Sequence, residues 1–223
     1  MTPNEISVII AERTGQQLDI PFRLLVFSRF KLWRSTLVKN TLQKDPSLKG
    51  MFTQTLILKT VPFTTGDCVG VGTGSCYDSA RTEVKIPLSV KTGGTPYDYV
   101  GGIYGTKPYN YAHPTAARYK SKQRYAGVET VYWNVSNGYI VLSTPVVSEI
   151  RIDDVFDDPL EVEELICSTQ GQNCDIWNKD YPATTKDIIQ QAIDYVVQSF
   201  LQPGSVPAIK DEVTLGGEPQ ASK

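Results

Sequence analysis

The chain has 223 residues, 40% of them hydrophobic and 21% charged, which is enough for one large domain or two small ones around a buried core. A formal net charge of −2 gives no global reason to expect nucleic acid or a membrane surface as a partner. No apolar run approaches the roughly 20 residues of a membrane helix. The opening MTPNEISVIIAERTG lacks the basic start of a secretory signal, so the chain is expected to stay in the compartment where it is made.

Thr2-Pro3-Asn4-Glu5 is a capping box with proline at the first helical position. Ile6, Ile9, Ile10 and Arg13 follow at helical spacing, and Gly15 can end this helix. A longer helix is predicted from about Pro21 to Gln43, with Asp19 near its start. Phe22, Val26, Phe30, Trp33 and Leu37 recur at spacings of three and four, and Leu18, Leu25 and Leu32 make a second stripe. A helix apolar on more than one face is expected to be buried or shared with a partner.

The middle reads as β-structure. FTQTLILKTV, VKIPLSV, ETVYWNV, GYIVLST and VVSEIRI are short, rich in β-branched and aromatic residues, and split by Gly, Pro and Asn. Asn137-Gly138 between two of them predicts a type I′ hairpin, which needs positive φ at both central residues. GGTPYDYVGGIYGTKPYNYAHPTAARY has too much Gly, Pro and Tyr for regular structure and reads as long ordered loops. A last helix is capped by Thr184 or Thr185, with Ile188, Ile189, Ala192, Ile193, Val196, Val197 and Phe200 as its apolar face. Pro203-Gly204 stops it.

The expected class is α+β: an N-terminal helix pair, a sandwich-like antiparallel β-rich middle and a C-terminal helix. The expected divisions are residues 1–50 (helices), 51–152 (β-rich, with long Gly/Tyr-rich loops), 153–202 (acidic turn and C-terminal helical part) and 203–223 (extended tail).

Enzyme chemistry finds little to use. His113 is the single histidine and stands in a Tyr-rich loop, and no serine has a nucleophile-elbow context. Gly70 to Ser75 resembles a phosphate loop only faintly, since no lysine and no helical periodicity follow it. Cys68, Cys76, Cys167 and Cys174 form two pairs with gaps of seven and six residues, wider than a zinc knuckle, so free thiols are expected. The acidic run RIDDVFDDPLEVEEL lacks the alternating ligands and central Gly of a calcium loop. Its Asp158-Pro159-Leu160-Glu161 repeats the cap logic of the N-terminus, which predicts a capped short helix and a charged face. No cofactor and no metal are expected.

Several longer segments carry a resemblance: LDIPFRLLVFSRFKLWRSTLVKN, FTQTLILKTVPF, VKIPLSV with PYDYVGGI, and above all EIRIDDVFDDP with CDIWNKDYP. Through them the chain resembles a family of virion structural proteins of crAss-like, short-tailed bacteriophages of the Bacteroides group. The resemblance implies a non-enzymatic ring protein of the neck or tail, stacked below the portal. Such a ring is about twelve-fold, contacts the portal protein and adjacent tail rings, and lets the genomic DNA through without sequence specificity. It also implies a place in the virion, with assembly in the host cytoplasm. Another virion protein, or an adhesin-like module binding a partner protein or host glycan, is the alternative.

A closed ring needs a contact between two different surfaces of neighbouring subunits. Residues 20–50 carry seven basic side chains against one acid, Asp45, and residues 149–165 carry eight acids against Arg151. These two surfaces are expected to attract, within or between subunits, with Arg23, Arg29, Arg34, Asp153, Asp154, Asp157 and Asp158 as interface candidates. On that reading, reversing Asp153, Asp154 and Asp157 to lysine impairs assembly and leaves the protomer folded. Lys107, Arg118, Lys120, Lys122 and Arg124, interleaved with tyrosines, are candidates for the DNA channel or a partner contact.

Overall fold

A computed structural model describes residues 1–62, 79–90, 95–113, 130–144, 147–169 and 175–202. Helix α1 (Pro3–Thr14) starts on the predicted capping box: Glu5 N–H donates to Thr2 Oγ1 at 3.2 Å and Thr2 N–H to Glu5 Oε2 at 2.9 Å. Gly15 ends it in the left-handed region at φ 65°. Helix α2 (Ile20–Lys44) is capped by Asp19, which accepts from Phe22 N–H at 2.7 Å. Proline two residues past its end keeps it from continuing. A short turn of helix, α3 (Lys49–Phe52), then leads into the sheet.

The fold is α+β, with seven strands in one curled sheet between the helices. The strands are β1 (Gln54–Pro62), β2 (Ala80–Thr82), β3 (Tyr99–Gly101), β4 (Asn110–Tyr111), β5 (Tyr132–Ser136), β6 (Tyr139–Leu142) and β7 (Glu149–Asp154), in the order β3-β7-β1-β2-β6-β5-β4. The nine-residue β1 belongs to both halves. Gln54 to Lys59 pair with β7, and Thr60 to Pro62 pair with β2. All pairs are antiparallel except β4 with β5. The predicted hairpin forms between β5 and β6, with Asn137 at φ 52° and Gly138 at φ 84°, as a type I′ turn requires.

Two stretches differ from the sequence reading. VKIPLSV is not a strand but an extended segment with a single bridge, Ser89 to Phe156. Pro87 interrupts any ladder, and isolated bonds hold the segment instead: Ile86 N–H to Gly138 O and Val90 N–H to Val155 O, each 2.8 Å. The Tyr-rich stretch, read as loop, contains β3 and β4, whose partners lie far away in sequence.

Helix α4 (Pro159–Thr169) follows β7, and helix α5 (Lys186–Leu201) ends the described chain. Of the two threonines offered as caps, Thr185 takes that role. The first core joins α1, α2 and α5 through Ile6, Ile10, Val26, Phe30, Trp33, Ile189, Ile193 and Val196. Trp33 stacks on Tyr195 at 4.7 Å, and Tyr181 meets Phe30 edge-on at 5.3 Å. The second core lies under the sheet and includes Leu56, Leu58, Trp133, Ile140, Ile150 and Ile152. α4 is the wedge between them: Leu160 belongs to the helical core and Val162, on the opposite side of the helix, to the sheet core. A third cluster, Val38, Leu42, Phe52, Val90, Val155 and Ile188, closes the junction.

Only one of the two predicted α2 stripes is therefore core. Phe30→Ala is expected to destabilise the chain by about 3–5 kcal/mol, whereas Leu25→Ala on the exposed stripe costs under about 0.5 kcal/mol. Urea denaturation of the two variants checks the contrast, and equal losses would reassign the faces of α2.

Candidate functional site

One ion pair joins the basic helix to the acidic run inside the protomer, Lys31 with Asp158, and beside it Arg34 reaches the backbone of the run. Arg34 is fully buried on α2. Its Nη1 donates to Phe156 O at 2.6 Å and Asp157 O at 3.2 Å, its Nη2 to Ala183 O at 2.8 Å and its Nε to Thr184 Oγ1 at 3.1 Å. Burial lowers the pKa of this guanidinium, and Tyr181, Asp158 and Asp157 work against that shift. One side chain thus ties three places together: the middle of α2, the turn from β7 into α4, and the approach to α5. Arg34 is not a subunit-interface residue, because nothing outside the protomer can reach it.

The acids of the run separate by position. Asp153 and Asp154 are neighbours on a strand, so they point to opposite faces of the sheet. Asp153 faces outward, where Arg151 Nε donates to it at 2.9 Å and Thr55 Oγ1 at 2.7 Å. Asp154 faces inward and is buried, which removes it too from the interface candidates. It accepts from Ser89 Oγ at 2.6 Å and from Val155 N–H at 2.7 Å. Burial raises its pKa to about 6, against the lowering effect of those two hydrogen bonds; Asp98 adds to the rise and Lys49 opposes it. Asp157 accepts from Ser35 Oγ at 2.7 Å. Asp158 accepts from Leu160 N–H at 3.1 Å, capping α4 as predicted, and pairs with Lys31. The triple reversal of Asp153, Asp154 and Asp157 therefore does not isolate assembly, since it forces a charge into the interior and removes the Ser35 contact.

Two further basic candidates lie against α5 and its neighbouring loop. Arg29 donates to Ser199 Oγ at 3.1 Å and covers the Phe200 ring at 4.4 Å, while Arg23 stands 5.6 Å from the Trp177 ring. What α2 leaves open is apolar. Ile20 is 73% exposed, Leu24 57%, Leu25 44% and Leu32 51%. Pro21, Leu25, Ser28 and Leu32 are spaced four, three and four apart, so they form one stripe along the helix. The Ser28 hydroxyl donates to Leu25 O at 2.8 Å and leaves the stripe without an outward-facing donor.

Among the channel or partner candidates, Lys107 is exposed, and its carbonyl accepts from Tyr99 Oη at 3.3 Å and Gly102 N–H at 3.2 Å. Arg118, Lys120, Lys122 and Arg124 lie outside the described residues, as does the Gly70–Ser75 loop. His113 is exposed. Cys167 is disulfide-bonded, which corrects the expectation of free thiols; the other three cysteines lie outside the described residues. Among the described residues no three His, Cys, Asp or Glu side chains are grouped to hold a metal, and no helix is long and apolar enough to cross a membrane.

The reading of sequence missed the burial of Arg34. The signal was present: Arg34 stands four residues from both Phe30 and Val38, on the stripe that packs inward. A cation inside an apolar stripe announces a polar joint when carbonyls can reach it.

Two outcomes follow. Arg34→Met leaves the Phe156 and Ala183 carbonyls buried without donors and is expected to cost about 3 kcal/mol or more; Arg34→Lys recovers only part, because an ammonium cannot reproduce the fork. Lys31→Met, at a partly exposed pair, costs under about 1 kcal/mol. Denaturation midpoints rank the three. For Asp154 the folded pKa lies above the unfolded value, so its stabilising contribution is complete below pH 4 and is lost as pH rises through about 6. Asp154→Asn still accepts from Val155 N–H, reverses the Ser89 contact so that the amide N–H donates to Oγ, and removes that slope. Its stability relative to wild type should rise by about 2 kcal/mol between pH 4 and pH 7, and parallel pH profiles would exclude a raised pKa.

No protein-family model matches the chain, and comparison with curated proteins returns no match.

Proposed function

We propose that this chain is a non-enzymatic structural subunit of a bacteriophage virion. It forms an oligomeric ring, about twelve-fold, in the head-to-tail connector, with the portal protein and adjacent tail rings as neighbours. Genomic DNA passes through the ring without sequence-specific contacts. The observation that carries the reading is the exposed apolar stripe of α2, because contiguous apolar surface on a folded protomer marks a place where something else packs. The phage assignment rests on the resembling segments. Three of them meet within the protomer: α2, the Phe156-Asp157-Asp158-Pro159 turn and the Trp177 to Tyr181 loop surround Arg34, Phe27 and Phe30.

A second reading has its own observation. Tyr104 is 85% exposed at the tip of a turn pinned from beneath by Tyr99 Oη, which donates to Gly102 O and Lys107 O at 3.3 Å. A rigidly mounted tyrosine suits a binding module for a partner protein or glycan. A particle reconstruction decides between the two. Ring density at the portal vertex that fits this fold is expected; a peripheral position with Tyr104 pointing at host material supports the second reading, and absence from particles overturns both.

A further inference from the structure

The stripe on α2 has properties that select its occupant. Pro21, Leu24, Leu25 and Ser28 stand at i, i+3, i+4 and i+7, the diamond that receives one side chain from a facing element, and all four are exposed. Beside it Arg23, Arg29 and Lys31 are partly exposed, Arg34 is buried, and no acid lies between the Asp19 cap and Asp45. Two copies of α2 laid face to face would therefore bring like charges together, which disfavours a symmetric α2–α2 contact. The stripe calls for an apolar knob set among acids.

The same protomer presents such a surface elsewhere. Leu88 is 74% exposed. Its segment is fixed: Leu88 O accepts from Asp157 N–H at 2.9 Å, and Pro87 O accepts from Tyr97 Oη at 3.2 Å. Beyond Asp157 begins α4, which carries Glu161, Glu163 and Glu164 and no basic residue, with Glu161 and Glu164 exposed. An exposed aliphatic side chain on a strap hydrogen-bonded to the start of an acidic helix complements the apolar, basic-flanked stripe in polarity and charge.

We propose that copies of this chain associate through a heterologous contact in which the α2 stripe of one copy receives Leu88 and the acidic first turns of α4 from the next. The inference rests on the reading of the chain as an assembly subunit and names its contact surface. Each copy then carries one donor and one acceptor surface, as head-to-tail assembly requires.

The test uses the full chain and two variants: Leu24→Gln with Leu25→Gln on the stripe, and Leu88→Gln with Glu161→Gln and Glu164→Gln opposite. All of these positions are exposed, so unchanged circular dichroism and melting temperature qualify the variants. Sedimentation velocity is expected to show oligomers for the wild type and at least about tenfold weaker association for each variant. An equimolar mixture of the two variants is expected to give heterodimers and nothing larger, because each still owns one intact surface. A mixture that stays monomeric, or variants that assemble like the wild type, overturns this contact. So does a wild type that is monomeric at high concentration. None of these outcomes decides the virion reading, which depends separately on the particle reconstruction.

Discussion

A buried guanidinium has fixed directions in which it must find oxygen, and much of this fold follows from satisfying one. Arg34 is held by carbonyls from the β7–α4 turn and by the segment that leads into α5. Neither loop has freedom to choose another place. Ala183 even takes a left-handed conformation, at φ 44°, which costs a non-glycine residue about 1 kcal/mol or more. In that conformation its carbonyl lies 2.8 Å from Arg34 Nη2. A charge-assisted bond in the interior offsets that strain.

Around this joint the dense acidity of the run loses its appearance of a cluster. Strand alternation sends Asp153 to solvent and Asp154 to the interior. Helix capping takes Asp158, and a hydroxyl on α2 takes Asp157. Four carboxylates close in sequence thus serve four separate purposes, and they belong to no group of three or more potential metal ligands among the described residues. Proximity along a chain is proximity in space only when the secondary structure allows it, and here a strand, a turn and a helix start within six residues.

Features written in local chemistry were legible in the sequence. The Thr2 box, the Asp19 cap, the Asn137-Gly138 turn and the inward face of α5 each depend on residues within a few positions of one another. Features that depend on distant partners were not. β2, β3 and β4 are three residues or fewer, too short to show any alternation, and exist because β1, β7 and β5 supply their bonds. The VKIPLSV segment has strand composition without strand pairing, since Pro87 cannot donate. For the candidate surface, two apolar stripes on α2 could be read, but not which one the protomer buries. Arg34 was visible as a cation and invisible as a joint, because its partners come from residues more than a hundred positions away.

The sharing of β1 between the two halves of the sheet has a further consequence. β1 pairs with β7 about a hundred residues later, and the helical core that precedes β1 is finished only by α5. Both cores are therefore closed by contacts between residues roughly a hundred or more positions apart, with the loop-closure entropy that such separation implies. During synthesis α1 and α2 emerge early and can pack on each other, yet the core they share stays incomplete until α5 leaves the ribosome. This is a topology of high contact order, which folds slowly and as a whole rather than piece by piece. For most of its synthesis the chain presents part of both stripes of α2 at once, and the arrival of its last described helix completes the distinction between the inside of the protein and the outside.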